Sequence, residues 1–271
     1  MKKNILIPLS VLSIIGLILA IPFDLPISQF LYDQSNLLGR FGEAVGEVPG
    51  VLVGVFGCAA LLFTYKRNSK FSKISSYIFG GLFLVLLSFM AAGLPTHYIE
   101  MPSWVTYVFT IIYIFGAVYI VKKTPEALYP KLRKLAWIAV LTFITETIAI
   151  NLIKFGWSRV RFRDLLESTE AFSAWFIPRG FTGNTEYTSF PSGHVANASV
   201  ILFITLLPSV YQKLRKYQNW FYVISFVWIG LIMVSRIIMG AHFLSDTIVG
   251  LWVTVVILQL FQIVFKLKKE I

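Results

Sequence analysis

The chain has 271 residues, of which 57% are hydrophobic, 16% aromatic and only 14% charged. Soluble domains carry about 25% charged residues, so this balance excludes an ordinary water-soluble globule. The net charge of +11 is accounted for by membrane topology and calls for no nucleic-acid partner.

Apolar stretches close to the roughly 20 residues that span a bilayer as a helix recur near residues 4–22, 49–65, 74–95, 104–121, 135–153, 192–208, 220–236 and 247–265. The expected fold class is all-α, a polytopic transmembrane helical bundle of about eight spans. Residues 1–271 read as a single integral membrane domain with no soluble appendage. The opening "MKKNILIPLSVLSIIGLILA" has the positive start and apolar middle of a secretory signal. Its apolar run is long, however, and Ile21 and Pro22 follow Ala20 where a small-residue cleavage pattern would stand, so it reads as a span that stays. Segment 23–48 carries Phe30, Leu31, Leu37, Leu38, Phe41 and Val45 at loosely helical spacing and is expected to form a loop cover along the outer interface. The single cysteine, Cys58, lies inside a span and has no partner for an internal disulfide.

The basic residues orient the spans. Alternate ends hold Lys2 and Lys3; Lys66, Arg67, Lys70 and Lys73; Lys122, Lys123, Lys131, Arg133 and Lys134; Lys213, Arg215 and Lys216; and Lys266, Lys268 and Lys269. These seventeen of the 24 are expected on the cytoplasmic side, with both termini. Arg40, Lys154, Arg159, Arg161, Arg163, Arg179 and Arg236 remain for the outer face, and all but Arg40 fall between 154 and 236. Positive charge kept there against the topological bias asks for an anionic ligand.

Three stretches sharpen that expectation. In "KFGWSRVRFRD", Lys154 and Arg161 are seven apart and would share a helical face if the fifth span continued as a helix. In "FPSGHVANAS", Pro191 can open the sixth helix, and Ser192, Gly193 and His194 would offer backbone N–H groups at its positive end. His194 could give or take a proton near neutral pH, although alone it reads equally well as an interfacial residue. In "SRIIMGAHFLSD", Arg236 ends the seventh span, Gly240 allows a tight turn, and His242 and Asp246 are four apart on one prospective helical face. That pair reads as a nucleophile with its orienting carboxylate. By parity, all three stretches emerge on the outer face. The third histidine, His97, is assigned no role.

In this order the three stretches resemble the signature of the type 2 phosphatidic acid phosphatase superfamily of integral membrane lipid phosphatases, K-x6-RP, PSGH and SR-x5-H-x3-D. The matches are Lys154 with Arg161, then Pro191, Ser192, Gly193 and His194, then Ser235, Arg236, His242 and Asp246. The motifs lie within 154–246, while the first 150 residues match only in being helical spans. One departure is Phe162, where the family usually has proline, and it bears on the shape of the loop after Arg161 rather than on the chemistry. The resemblance implies a six-helix catalytic core, a phosphohistidine intermediate, and no metal or other cofactor. Lys154, Arg161, Ser192, Gly193 and Arg236 would bind the phosphoryl group, His242 would attack it, Asp246 would orient His242, and His194 would protonate the leaving group. Three fixed positive charges also disfavour a metal ion in the same pocket.

The expected partners are the bilayer and a lipid phosphate substrate. The resemblance implies undecaprenyl diphosphate, phosphatidylglycerophosphate, phosphatidic acid or a lipid A phosphate as substrate, and resemblance to bacterial relatives favours the first two, in a bacterial plasma membrane with the site on the outer face. A lipid phosphotransferase using the same histidine chemistry is the alternative. An anion transporter fits less well, because no internal repeat is visible and only Glu146, with Asn151 nearby, intrudes on a span.

Overall fold

The structure is a computed structural model that describes residues 3–65, 69–181 and 187–267, the side chain of Phe79 excepted. Lys2, Lys66, Arg67, Lys268 and Lys269, counted above as cytoplasmic charges, lie outside the described residues. The α-helices are α1 (Lys3–Leu31), α2 (Leu37–Val45), α3 (Val48–Phe63), α4 (Lys70–Ser76), α5 (Phe83–Gly93), α6 (Ser103–Lys122), α7 (Tyr129–Trp157), α8 (Phe162–Leu165), α9 (Gly193–Ser199), α10 (Gln218–Ile238) and α11 (Leu244–Val264). A π-helical turn joins α4 to α5, and α9 continues as a 3₁₀ helix over Val200–Ser209. Among the described residues there is no strand.

The all-α polytopic fold read from the sequence is the one observed. Among the described residues, seven helical segments are long and apolar enough to cross a membrane. The remaining expected span falls on the shorter apolar helix Gly193–Ser209.

The first helix corrects the sequence reading. It does not stop near Pro22 but runs to Leu31 through Pro8, Pro22 and Pro26. Each proline removes a backbone hydrogen bond, yet in hydrocarbon an unwound segment would lose many more, so the helix persists. Its buried residues are Ser13, Ala20, Asp24 and Ser28, a single stripe of small and polar side chains, while Ile7, Leu12, Ile15 and Ile18 face outward. That is the polarity expected where the surroundings are lipid and the interior holds the polar groups. The expected loop cover at 23–48 is therefore the end of α1, a short turn, and α2, whose N-cap Asn36 accepts from Leu38 N and Gly39 N.

The chain forms two compact units. The first comprises Met1–Gly46, Glu146–Ser199 and Val227–Val256 and holds every candidate site residue. Within it α2 meets α10 through glycine: a Cβ on Gly42 would stand 2.1 Å from Ser235 Oγ, and one on Gly39 2.7 Å from Met239 Sδ. Ser235 Oγ donates to Gly39 O across that contact at 2.9 Å. Gly250 of α11 gives the same close approach, since a Cβ there would stand 2.5 Å from Ser192 O.

The second unit comprises Glu47–Thr145, Val200–Phe226 and Ile257–Ile271. There α3 presents Gly54 and Gly57, where a Cβ would stand 3.0 Å from Leu87 Cδ1 and 2.8 Å from Ala139 Cβ. The Thr124 and Tyr211 hydroxyls share a hydrogen bond of 2.7 Å. Trp104, Tyr107, Phe115 and Tyr119 of α6 are exposed, as suits a lipid-facing helix.

Candidate active site

Lys154 and Arg161 reach the site differently from the sequence expectation. Helix α7 ends at Trp157, where Ser158 takes a left-handed φ of 50° and its Oγ donates to Gly180 O at 2.5 Å. The two residues therefore do not share a helical face. Arg161 arrives on extended backbone (φ −75°, ψ 153°) at the start of α8, with NH2 donating to Thr188 Oγ1 at 2.6 Å.

Phe162 explains how the chain manages without the motif proline. It sits at the first position of α8, where proline is at home, and the extended Arg161 before it has the conformation that proline would impose. Its ring is buried, packed edge-on against Tyr32 at 5.3 Å and Phe243 at 6.3 Å. Packing replaces ring closure as the device that shapes this turn.

The "PSGH" turn is held from two sides. Ser192 N donates to Asp246 O at 2.9 Å, and Ser192 Oγ accepts a long bond of 3.4 Å from Val195 N as α9 begins. A Cβ on Gly193 would meet Lys154 Nζ at 3.4 Å, so the ammonium lies against this glycine. The His194 ring is hydrogen-bonded to the main chain of Glu43 and lies within electrostatic reach of Arg236, Lys154 and Arg161.

Arg236 is only 2% exposed. Its NH2 donates to Glu43 Oε1 at 2.9 Å, whereas its Nε and NH1 are buried without a partner among the described residues. Two orphaned charged donors in one guanidinium are costly, and an anion in the pocket would satisfy both.

His242 is also buried, and its Nδ1 lies 2.6 Å from Ser189 O. A carbonyl oxygen only accepts, so Nδ1 carries the hydrogen and the lone pair sits on Nε2. Burial pushes the imidazole well below its ordinary pKa, and the nearby charges of Lys154, Arg236 and Arg161, with His194, push the same way. The site thus holds a neutral imidazole with its basic lone pair on Nε2.

Asp246 does not touch that ring, contrary to the expectation that it orients His242 directly. Oδ1 accepts from Arg159 NH1 at 2.5 Å, and Oδ2 accepts from Ser189 Oγ at 2.6 Å and Phe243 N at 2.8 Å. Its hold on His242 passes through Ser189, whose own carbonyl fixes Nδ1. Three or more His, Cys, Asp or Glu side chains grouped to hold a metal ion are not found among the described residues.

Sequence reasoning missed Asp24 and Glu43, and read Arg159 only as one of the outer-face cations that ask for an anionic ligand. Arg159 is 1% exposed and bridges Asp246 to Asp24 NH2-to-Oδ2 at 3.0 Å, with its guanidinium over the Phe243 ring at 4.2 Å. Asp24 also accepts from Ser245 N at 3.0 Å and from Ser245 Oγ. Glu43 pairs with Arg236. Asp24 could have been found as the lone acid in a span, had the span been carried past Pro22.

The class of protein these features define is a membrane-embedded helical protein with a buried histidine facing a cluster of basic side chains. Residues 135–269 match the model of the PAP2 superfamily, and the chain belongs to that superfamily. A curated relative, the lipid A 1-phosphatase of Rhizobium johnstonii, is 29% identical over 157 residues, which cover 55% of this chain and 57% of that protein. The match thus spans little more than half the length of that relative. No solved structure matches the chain.

Proposed function

We propose that this protein is a membrane lipid phosphatase that hydrolyses the phosphomonoester or diphosphate group of a lipid through a phosphohistidine on His242. Membership of the PAP2 superfamily and likeness to a lipid A 1-phosphatase support a phosphatase acting on a lipid phosphate. The observation that carries the reading is the tautomer of His242: its Nδ1 is tied to Ser189 O, so Nε2 is the nucleophile in a pocket of Lys154, Arg161 and Arg236.

In the first step the Nε2 lone pair forms the N–P bond while the P–O bond to the lipid breaks, and His194 donates a proton to the leaving oxygen. In the second, His194 takes a proton from water, the water oxygen bonds to phosphorus, the N–P bond breaks and phosphate leaves. Lys154, Arg161 and Arg236 offset the charge on the equatorial oxygens, assisted by Ser192 and the Gly193 backbone. Three fixed cations make the pocket a poor host for a metal ion, so the reaction proceeds without one. The site opens on the outer face of a bacterial plasma membrane, with both termini in the cytoplasm, as the distribution of basic residues supports.

The test is phosphate release by purified protein across a panel of lipid phosphates in excess EDTA. Release that persists in EDTA and is inhibited by vanadate, a five-coordinate phosphoryl mimic, is expected. Loss of activity in chelator, restored by a divalent metal, contradicts the proposal.

A further inference from the structure

Helix α2 belongs to none of the three motifs and lies outside the residues matched by the family, yet its last turn is built into the site. The helix is seated on α10 by glycine. A Cβ on Gly42 would stand 2.5 Å from Ser235 Cβ, one on Gly39 2.7 Å from Met239 Sδ, and one on Gly46, just past the helix, 3.0 Å from Ile232 Cδ1. Ser235 Oγ donates to Gly39 O at 2.9 Å and Trp228 Nε1 donates to Gly46 O at 3.2 Å, so the seat is pinned at both ends.

This docking delivers Glu43 to the site through two different groups. The carboxylate accepts from Arg236 NH2 at 2.9 Å. The main chain is hydrogen-bonded to the His194 ring. Glu43 is third from the end of α2, and the carbonyls of a helix's last turn have no partner within the helix. The group that meets the ring is therefore the carbonyl, and a ring nitrogen donates to it.

That bond sets both the tautomer and the direction of the imidazole. A carbonyl only accepts, so the nitrogen against Glu43 keeps its hydrogen and the other nitrogen, on the opposite side of the ring, is the one that exchanges protons. His194 lies within electrostatic reach of Arg236, Lys154 and Arg161, the groups that would hold the phosphoryl oxygens. Holding one edge of the ring aims the other.

We propose that Glu43 is a positioning residue: its main-chain carbonyl turns His194 so that the second ring nitrogen meets the leaving oxygen, while its carboxylate separately orients Arg236. This rests on the phosphatase reading and adds α2 to the machinery of that reaction.

The two groups are separable. A substitution of the Glu43 side chain leaves the carbonyl in place, whereas a side chain at position 42 collides with Ser235 Cβ and forces α2 away from α10. Full-length purified wild type, Glu43→Gln and Gly42→Ala are compared on a long-chain alkyl phosphate, whose leaving oxygen needs protonation, and on an alkylphenyl phosphate of matched length, whose leaving oxygen needs little. Gly42→Ala should lower the alkyl-to-aryl ratio of kcat by about tenfold or more, because general acid catalysis is lost on one substrate only. Glu43→Gln should weaken both substrates alike and leave that ratio unchanged. An unchanged ratio in Gly42→Ala, or an equal fall in Glu43→Gln, overturns the proposal. If Gly42→Ala does not fold, nitrogen NMR of the wild-type histidine rings decides, with the His194 signals assigned by their absence in His194→Gln. A single neutral tautomer of His194 is expected, and a mixture of the two overturns the proposal. Failure of the wild type to release phosphate from either substrate overturns the phosphatase reading itself.

Discussion

Arg159 NH1 stands 2.5 Å from Asp246 Oδ1, with both side chains sealed from solvent, and the same guanidinium reaches Asp24 at 3.0 Å through NH2. One cation thus joins the first helix to the first turn of α11, which follows His242. Removing it strands two buried carboxylates, at a cost of about 3–5 kcal/mol. Arg159→Gln should lower stability by that order, measured by denaturant unfolding in detergent.

Asp24→Asn should behave differently, because it leaves Arg159 and Asp246 as a one-to-one pair. The fold should hold while the geometry around His242 loosens. Turnover should fall about tenfold or more with KM little changed, since small misplacements of reacting groups are costly. An unchanged kcat would show that Asp24 serves stability alone.

These two predictions also mark where the sequence stopped being legible. Lys154, His194, Arg236 and His242 were readable because their spacing within three short stretches resembles a known signature, and the structure brings them within electrostatic reach of one another. Asp24 and Glu43 were not, because each joins the site through a partner more than 100 residues away, Arg159 and Arg236 respectively. Pro22, where the expected first span stops, hid the first of them, since proline in a soluble setting ends a helix, and only the lack of water around a lipid-facing backbone keeps this one going. The sequence also placed Asp246 on the His242 ring by i, i+4 spacing. Helix α11 begins only at Leu244, so His242 precedes the helix and the spacing rule does not apply to it.

Phe162→Pro restores the usual motif residue and should separate backbone from packing. Arg161 already has the extended conformation that proline demands, so KM should stay within severalfold. Loss of a buried ring from the Tyr32 and Phe243 contacts should cost about 3 kcal/mol or more of stability. A variant as stable as wild type would contradict the packing argument.

The pH dependence of stability follows from His242. Its pKa is depressed in the folded protein by burial and by the surrounding cations, while in the unfolded chain it titrates near the ordinary value of about 6.5. Below that pH the unfolded state takes up a proton that the folded state refuses, so stability falls as the pH drops from about 6.5 toward the folded pKa. Unfolding midpoints of the empty protein should decline over this window, and His242→Ala should flatten the decline. An identical slope in both proteins would contradict the assignment.

Membrane orientation is tested with cysteines at exposed positions. Ser168→Cys should react with an impermeant thiol reagent in intact cells, and Gln212→Cys should not. The native Cys58 is buried and should stay silent. The opposite pattern would put the site on the cytoplasmic face.

The most direct test of the central claim is to quench the reaction with a radiolabelled lipid phosphate within a single turnover and locate the label. An acid-labile phosphohistidine on residue 242 is predicted, absent in His242→Ala, and still formed in His194→Ala from an aryl phosphate whose leaving group needs little protonation. Label on His194, or a phosphoenzyme that survives in His242→Ala, would contradict the assignment of His242 as nucleophile.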